Sequence, residues 1–220
     1  MNFSDKIVQR LLIYILGLFF LAIGVAFSVN SNLGVSPVNS LPLIISNISG
    51  IKMGTCVTAV FSAFVLTQIL ILRRDFKWIN LLQVLFATIF GYFVNFAKAL
   101  LGSFAIPTYI GQIIMLSISI FFIALGLTFY LSAKIVPMPM EGLTAAMVMK
   151  LPGISFHKMK IVLDTAAVAG AAVLSLVFRG NIDGLGEGTL ITALACGKLM
   201  AVLMKRIQPY LDKLCSGDNI

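Results

Sequence analysis

The stretch LFFLAIGVAF, residues 18–27, returns 102 positions later as IFFIALGLTF, residues 120–129. Phe19, Phe20, Ala22, Gly24 and Phe27 fall on Phe121, Phe122, Ala124, Gly126 and Phe129. The frame continues past the pair. Pro37 falls on Pro139 and Leu41 on Leu143, and one inserted residue then brings Gly50 and Ile51 onto Gly153 and Ile154. Apolar sequences match one another by composition alone, but a glycine and a proline shared in one frame do not follow from composition. The chain is therefore read as a single membrane domain, residues 1–220, with internal repeats over about residues 11–101 and 109–204.

The membrane follows from the composition around these motifs. Of 220 residues, 60% are hydrophobic and 24 are charged (16 Lys and Arg plus 8 Asp and Glu), and the charges cluster between long uncharged runs. Residues 11–29, 54–72, 79–97 and 109–131 contain no charge, and each can cross a hydrocarbon core of roughly 30 Å. Residues 161–178 and 188–204 carry one charge each, Asp164 and Lys198, which brings the expected number of spans to six. Lys6 and Arg10 before the first run, with Ala26 and Ser28 near its end, resemble a cleaved signal peptide. The run is too long for that role, and five more follow, so it is expected to be a retained helix. A net charge of +8 would suggest nucleic acid in a soluble chain, but here Lys and Arg sit at span ends and set topology. No nucleic-acid partner is expected.

Between the first and second runs of each half lies a short segment that begins beside a proline, residues 38–48 and 140–151. As helices these would be about 16 to 18 Å long, roughly half the core thickness. Charge counting bears on whether they cross. If they do not, and the N-terminus is cytoplasmic, the inside holds Lys6, Arg10, Arg73, Arg74, Lys77, Lys134, Lys150, Lys158, Lys160, Lys205, Arg206 and Lys213. The outside keeps Lys52, Arg179 and the span-end Lys98. If both cross, Arg73, Arg74, Lys77, Lys134 and Arg179 move outside and the bias weakens. The expected fold is all-α and polytopic: six transmembrane helices as two three-helix repeats, each with a short Pro-initiated re-entrant or interfacial helix. Three crossings per repeat is odd, so the second repeat runs inverted, with both termini cytoplasmic. Inverted repeats with matching interrupted segments build transporter sites near the midplane.

Few residues are available for chemistry there. Glu141 follows Pro139 by two positions, in the first turn of its segment, where a helix dipole favours negative charge. Two roles suit it: a capping acid, or a proton, cation or substrate-amine site, since intramembrane charges face protein, water or a partner. Its counterpart after Pro37 is Asn39. If Pro37 and Pro139 start half-helices that point at each other, Ser36, Asn39 and Glu141 converge. Asp164 lies one helical turn beyond Lys160 and two beyond His157, which fits an intrahelical ion pair or a proton relay with His157 at its mouth. Lys198 either snorkels to the interface or pairs with Glu141 or Asp164. Glu187, in GLGEGTL, is expected to be a surface acid at a helix start, with the glycines serving close packing or an irregular start.

The remaining features are architectural. Trp78 and Tyr109 suit interface anchors; Gly17, Gly24, Gly91 and Gly126 permit close helix contact. Cys56, Cys196 and Cys215 lack metal-ligand spacing and are expected to be buried thiols. Walker, HExxH, GxSxG, CxxC and dinucleotide motifs are missing, and the chain has one His. No cofactor, metal or enzymatic activity is expected.

NLGVSPVNSLPLIIS (residues 32–46), VPMPMEGLTAAMVMK (136–150) and GLGEGTLITALACGKLMAVL (184–203) resemble the repeated motifs of the bacterial YczE/YyaS/YitT family of integral membrane proteins. The resemblance runs over about residues 11–203. The family pattern places a Gly and a Pro before an acidic residue, then an amphipathic segment, in both halves. Pro139 and Glu141 match it, whereas Asn39 stands in place of the first acid and Val136 where a Gly is common. The resemblance implies a multi-pass protein of the bacterial plasma membrane with a transport role, small-molecule or antibiotic export included, and names no substrate.

The first expectation is thus a secondary transporter or permease for a small molecule, coupled to protons or cations through Glu141, with Asp164 as the second carboxylate. A substrate-capturing subunit of an energy-coupling vitamin importer is the alternative, since such subunits are also small, basic and six-spanning. A regulatory membrane protein that moves nothing comes third, and a membrane enzyme last. The partners expected are the lipid bilayer and a small-molecule substrate; a second copy or an ATPase module is compatible with the chain.

Overall fold

The computed structural model describes the backbone of residues 3–216 except Pro152 and Asp183, and side chains between residues 7 and 211. The side chains of Lys6, Lys213 and Cys215 lie outside the described residues. Eight α-helices and no strand are found among the described residues: α1 (Phe3–Ser31), α2 (Pro37–Ser49), α3 (Met53–Leu72), α4 (Leu82–Leu101), α5 (Tyr109–Ala133), α6 (Pro139–Lys150), α7 (Phe156–Arg179) and α8 (Glu187–Ser216). The stretches Ile7–Ser31, Met53–Asp75, Trp78–Leu101, Tyr109–Ala133 and Phe156–Arg179 are long and apolar enough to cross a membrane. The protein is membrane-embedded and helical. The sixth uncharged-but-one run lies within α8, interrupted by Lys198.

α2 and α6 are the short segments, with 13 and 12 residues. Each begins on its proline, whose fixed φ and missing N–H suit the first helical position. Gly50, at φ 72°, ends α2 in the left-handed region and returns its N–H to Ser46 O. Neither helix exceeds about 20 Å at 1.5 Å per residue, short of a core of roughly 30 Å.

α1 and α5 form the central pair, and small residues set their approach. A Cβ added to Gly17 would lie 2.9 Å from Gly126 O, and one added to Gly24 would lie 2.9 Å from Ser119 O. Ser119 Oγ also donates to Gly24 O at 2.7 Å. Rising along α1 means falling along α5, so the two helices are antiparallel. The contacts are also reciprocal: adding 102 converts Gly24 to Gly126 and Gly17 to Ser119, the pattern of a two-fold-related interface.

The short helices pack across the halves, α2 on α7 and α6 on α3. Their C-terminal ends are tied in matching ways. Arg179, at the end of α7, donates to Asn47 O near the end of α2 at 3.1 Å; Lys150, at the end of α6, pairs with Asp75 just past α3 at 2.6 Å. One relationship is not matched. α3 and α4 pack along their length, Gly54 against Gly91, with Asn95 Oδ1 accepting from Gly54 N at 2.8 Å. Their counterparts α7 and α8 have no comparable interface among the described residues; α7 packs on α2 and α8 on α5.

The glycines of GLGEGTL serve close packing. A Cβ on Gly186 or Gly188 would lie 2.7 Å from Leu33 O, which accepts the Gly188 N–H at 2.9 Å. Glu187 is exposed at the start of α8 and accepts from Tyr109 Oη at 2.8 Å. Trp78 and Tyr109 are exposed at helix starts, as anchors require, and Cys56 and Cys196 are free and buried.

Candidate functional site

Because α7 and α8 stand apart, a cavity of about 490 Å³ opens between them and reaches inward to the two short helices. Ser36, Pro37, Val38 and Asn39 bring the N-terminus of α2 to its wall, and Pro137, Met138 and Glu141 bring that of α6. α7 contributes Phe156, Lys160 and Asp164, and α8 contributes Thr192, Cys196 and Met200, each set spaced by four residues and so on one helix face. The inner wall is apolar and aromatic, including Phe61 and Phe90, stacked with ring centroids 6.0 Å apart.

Lys160 is the hub of the charged groups. Its Nζ lies 3.7 Å from Glu141 Oε1 and 3.4 Å from Asp164 Oδ2. Two carboxylates share one ammonium, so the ionised group carries one excess negative charge. Such a charge away from bulk water calls for a proton or a cation.

The uncharged polar atoms are unevenly satisfied. Asn39 Nδ2 donates to Ser36 Oγ at 2.9 Å, while Asn39 Oδ1 has no partner although the residue is 6% exposed. Tyr130 Oη and Thr192 Oγ1, on residues each 1% exposed, are also without partners and also on cavity-lining residues. Buried polar atoms are normally paired, so three orphans around one cavity mark a place where a ligand or water completes them. Pro42 removes one backbone hydrogen bond from α2. It sits inside α2 and has no N–H to return to the carbonyl of Val38 four residues earlier.

Ser36, Asn39, Glu141 and Asp164 thus come to one cavity, with Pro37 and Pro139 starting the helices that deliver two of them. Lys198 does not join them. It is exposed, next to cavity-lining Gly197, and the partner of both carboxylates is Lys160. His157 is exposed and outside the lining. Among the described residues there is no cluster of three or more His, Cys, Asp or Glu able to hold a metal ion.

Two residues that position Glu141 were not legible as such. Gln68 Nε2 donates to Gln83 Oε1 and to Pro139 O, both at 3.0 Å, and both glutamines are 1% exposed. This clamp fixes the first turn of α6 against α3 and α4. It also explains Gly142, where a Cβ would lie 2.7 Å from Gln68 Oε1. The available signal was polarity itself, a glutamine amide in the uncharged run 54–72.

A model of a family of unknown function, DUF6198, matches residues 8–205. The chain belongs to that family. The matched span of DUF6198 contains every residue that lines the cavity. The chain is also 25% identical over 204 residues to the uncharacterized protein YyaS of Bacillus subtilis (strain 168), covering 92% of this chain and 96% of that one. No solved structure matches.

Proposed function

We propose that this chain is a secondary permease for a small molecule in the bacterial plasma membrane, built as two inverted repeats of three spans. The observation that carries the reading is the cavity: two proline-started half-helices begin on it, and an ion-pair cluster with one unmatched carboxylate lies in its wall. Discontinuous helices that meet near the midplane are how inverted-repeat transporters build substrate and coupling-ion sites. The antiparallel α1–α5 pair supports the inversion. If α2 crossed along with α3 and α4, α5 would run parallel to α1; with α2 not crossing, it runs antiparallel, as found. Grouping with YczE and YitT as well as YyaS rests on the shared motifs.

In this mechanism the cavity faces one side at a time, and rocking of one repeat against the other carries it across. Glu141 exchanges a proton, or the charge of its occupant, between the two states. Lys160 compensates it when the site is empty. Purified protein in liposomes should accumulate solute against an imposed proton or sodium gradient. Accumulation that survives Glu141→Gln unchanged would remove Glu141 from the coupling step.

A further inference from the structure

The chemistry of the cavity narrows what it can hold, taking the permease reading as its basis. We infer that it binds a small organic cation, a protonated amine on an apolar body, which reaches Glu141 laterally through the gap between α7 and α8.

The sign comes from the polar inventory. Glu141 and Asp164 together exceed Lys160 by one negative charge, and a monocation neutralises the set. The unpartnered atoms agree in kind. Asn39 Oδ1 only accepts, and the hydroxyls of Tyr130 and Thr192 can accept. An ammonium has several N–H groups and no acceptor, so it satisfies such a wall, whereas a carboxylate ligand would leave it short. Lys160 is the ammonium that now holds this place, and an incoming amine would take over part of its role at Glu141.

The apolar body follows from the rest of the lining and from the route. Phe61, Phe90 and Phe156 give faces for alkyl or aromatic groups and for cation–π contact. A volume of about 490 Å³ is within the range of small-molecule sites, roughly 300 to 1,000 Å³. The route is the asymmetry of the fold: α3 and α4 close the first half glycine to glycine, while α7 and α8 have no comparable interface among the described residues. A molecule that partitions into the bilayer meets that gap. The opposing features are the N-termini of α2 and α6, whose dipoles favour anions; Glu141 already stands in the first turn of α6, while α2 has no acid there. The dipole of a helix end is a partial charge that falls off within one turn, whereas the excess on the Glu141–Lys160–Asp164 group is one whole charge, and the unpartnered Asn39 Oδ1 beside the α2 end can only accept, so the cation is favoured.

Three probes with one cage and different head groups test this: 1-aminoadamantane, 1-adamantanol and adamantane-1-carboxylate, measured by equilibrium dialysis against the purified full chain. The amine should bind at least about tenfold tighter than the carboxylate, with the alcohol between. Glu141→Gln should abolish the preference. Lys160→Gln should tighten amine binding, because it removes the competing ammonium; for an anion site the same change would weaken the carboxylate. Asn39→Asp adds an acid at the pseudo-symmetric position and should also favour the amine. Equal binding of all three probes, tighter binding of the carboxylate, or no binding by any of them overturns the inference. Amine binding without flux in liposomes would sink the permease reading alone, and flux of the carboxylate would sink the cation assignment alone.

Discussion

The ammonium of Lys160, on α7, stands 3.7 Å from the carboxylate of Glu141, on α6, and joins two helices from the same half of the chain. The same Lys160 holds Asp164 four residues on, so removing the lysine and removing the glutamate are unequal changes. Lys160→Met strands two carboxylates; Glu141→Gln leaves Lys160 still paired. Breaking a fully buried pair costs about 3 to 5 kcal/mol. The three side chains are between 20% and 31% exposed, so water in the cavity reduces that cost. We expect Lys160→Met to destabilise by about 1 to 3 kcal/mol and Glu141→Gln by less than half as much, scaled from that range. Thermal unfolding in detergent ranks them, and the reverse order would mean that Glu141 is held by something other than Lys160.

Glycines in the two halves predict opposite outcomes. A Cβ on Gly54 would collide with the backbone of Gly91, so Gly54→Ala must push α3 from α4, at about 1 to 3 kcal/mol. At Gly197, on the cavity wall, a Cβ meets nothing within 4 Å. Gly197→Ala should therefore stabilise α8 by about 0.5 to 1 kcal/mol through helix propensity. Gly197→Leu should fold as well, with a melting temperature no lower than that of the unsubstituted chain, and project into the cavity, lowering probe binding. Loss of folding in Gly197→Leu would show that α7 and α8 close together in the membrane.

The Gln68 clamp sets a third expectation. Gln68→Met keeps the volume and removes the donors to Pro139 O and Gln83 Oε1. Side-chain hydrogen bonds between membrane helices average about 0.6 kcal/mol and reach about 1.7. Gln83 Nε2 already has no partner, so the clamp has little reserve. A loss of about 1 to 2 kcal/mol is expected, with a larger proportional loss of amine binding, since α6 carries Glu141. Equal stability and binding would make the clamp incidental.

The chain betrayed its architecture more readily than its site, and the reason is physical. Helix starts at Pro37 and Pro139 are written locally, in a residue that cannot sit deeper in a helix without cost. The match of residues 18–27 to residues 120–129 stood out because Gly24 and Gly126 each have to let a backbone approach, a demand that no apolar bias imitates. Lys160 was visible only as the partner of Asp164, four residues away; its reach to Glu141 depends on how α6 lies against α7, which no local pattern encodes. Lys198 had two readings because snorkelling and pairing need the same sequence, and packing alone separates them. The separation of α7 from α8 left no mark, since both helices carry the small residues that would have allowed them to meet.

The topology has its own measurement. Every described contact between helix ends joins segments that six spans with two non-crossing helices would put on one side: Asp75 with Lys150, Asn47 with Arg179, Tyr109 with Glu187, and Asn30 with the carbonyls of Gly102 and Phe104. Lys77, Ser103 and Arg206 are exposed, which makes them suitable for labelling. In a background with Cys56, Cys196 and Cys215 replaced by Ser or Ala, single cysteines at these positions should divide two against one. Lys77→Cys and Arg206→Cys should react with an impermeant maleimide from the cytoplasmic side, and Ser103→Cys from the other. A crossing α2 would put residue 77 outside and residue 103 inside, and would leave α5 parallel to α1 against the Gly17–Gly126 and Gly24–Ser119 contacts. Labelling of residues 77 and 206 from opposite faces would therefore count against the inverted repeat and, with it, against a cavity that alternates between two sides.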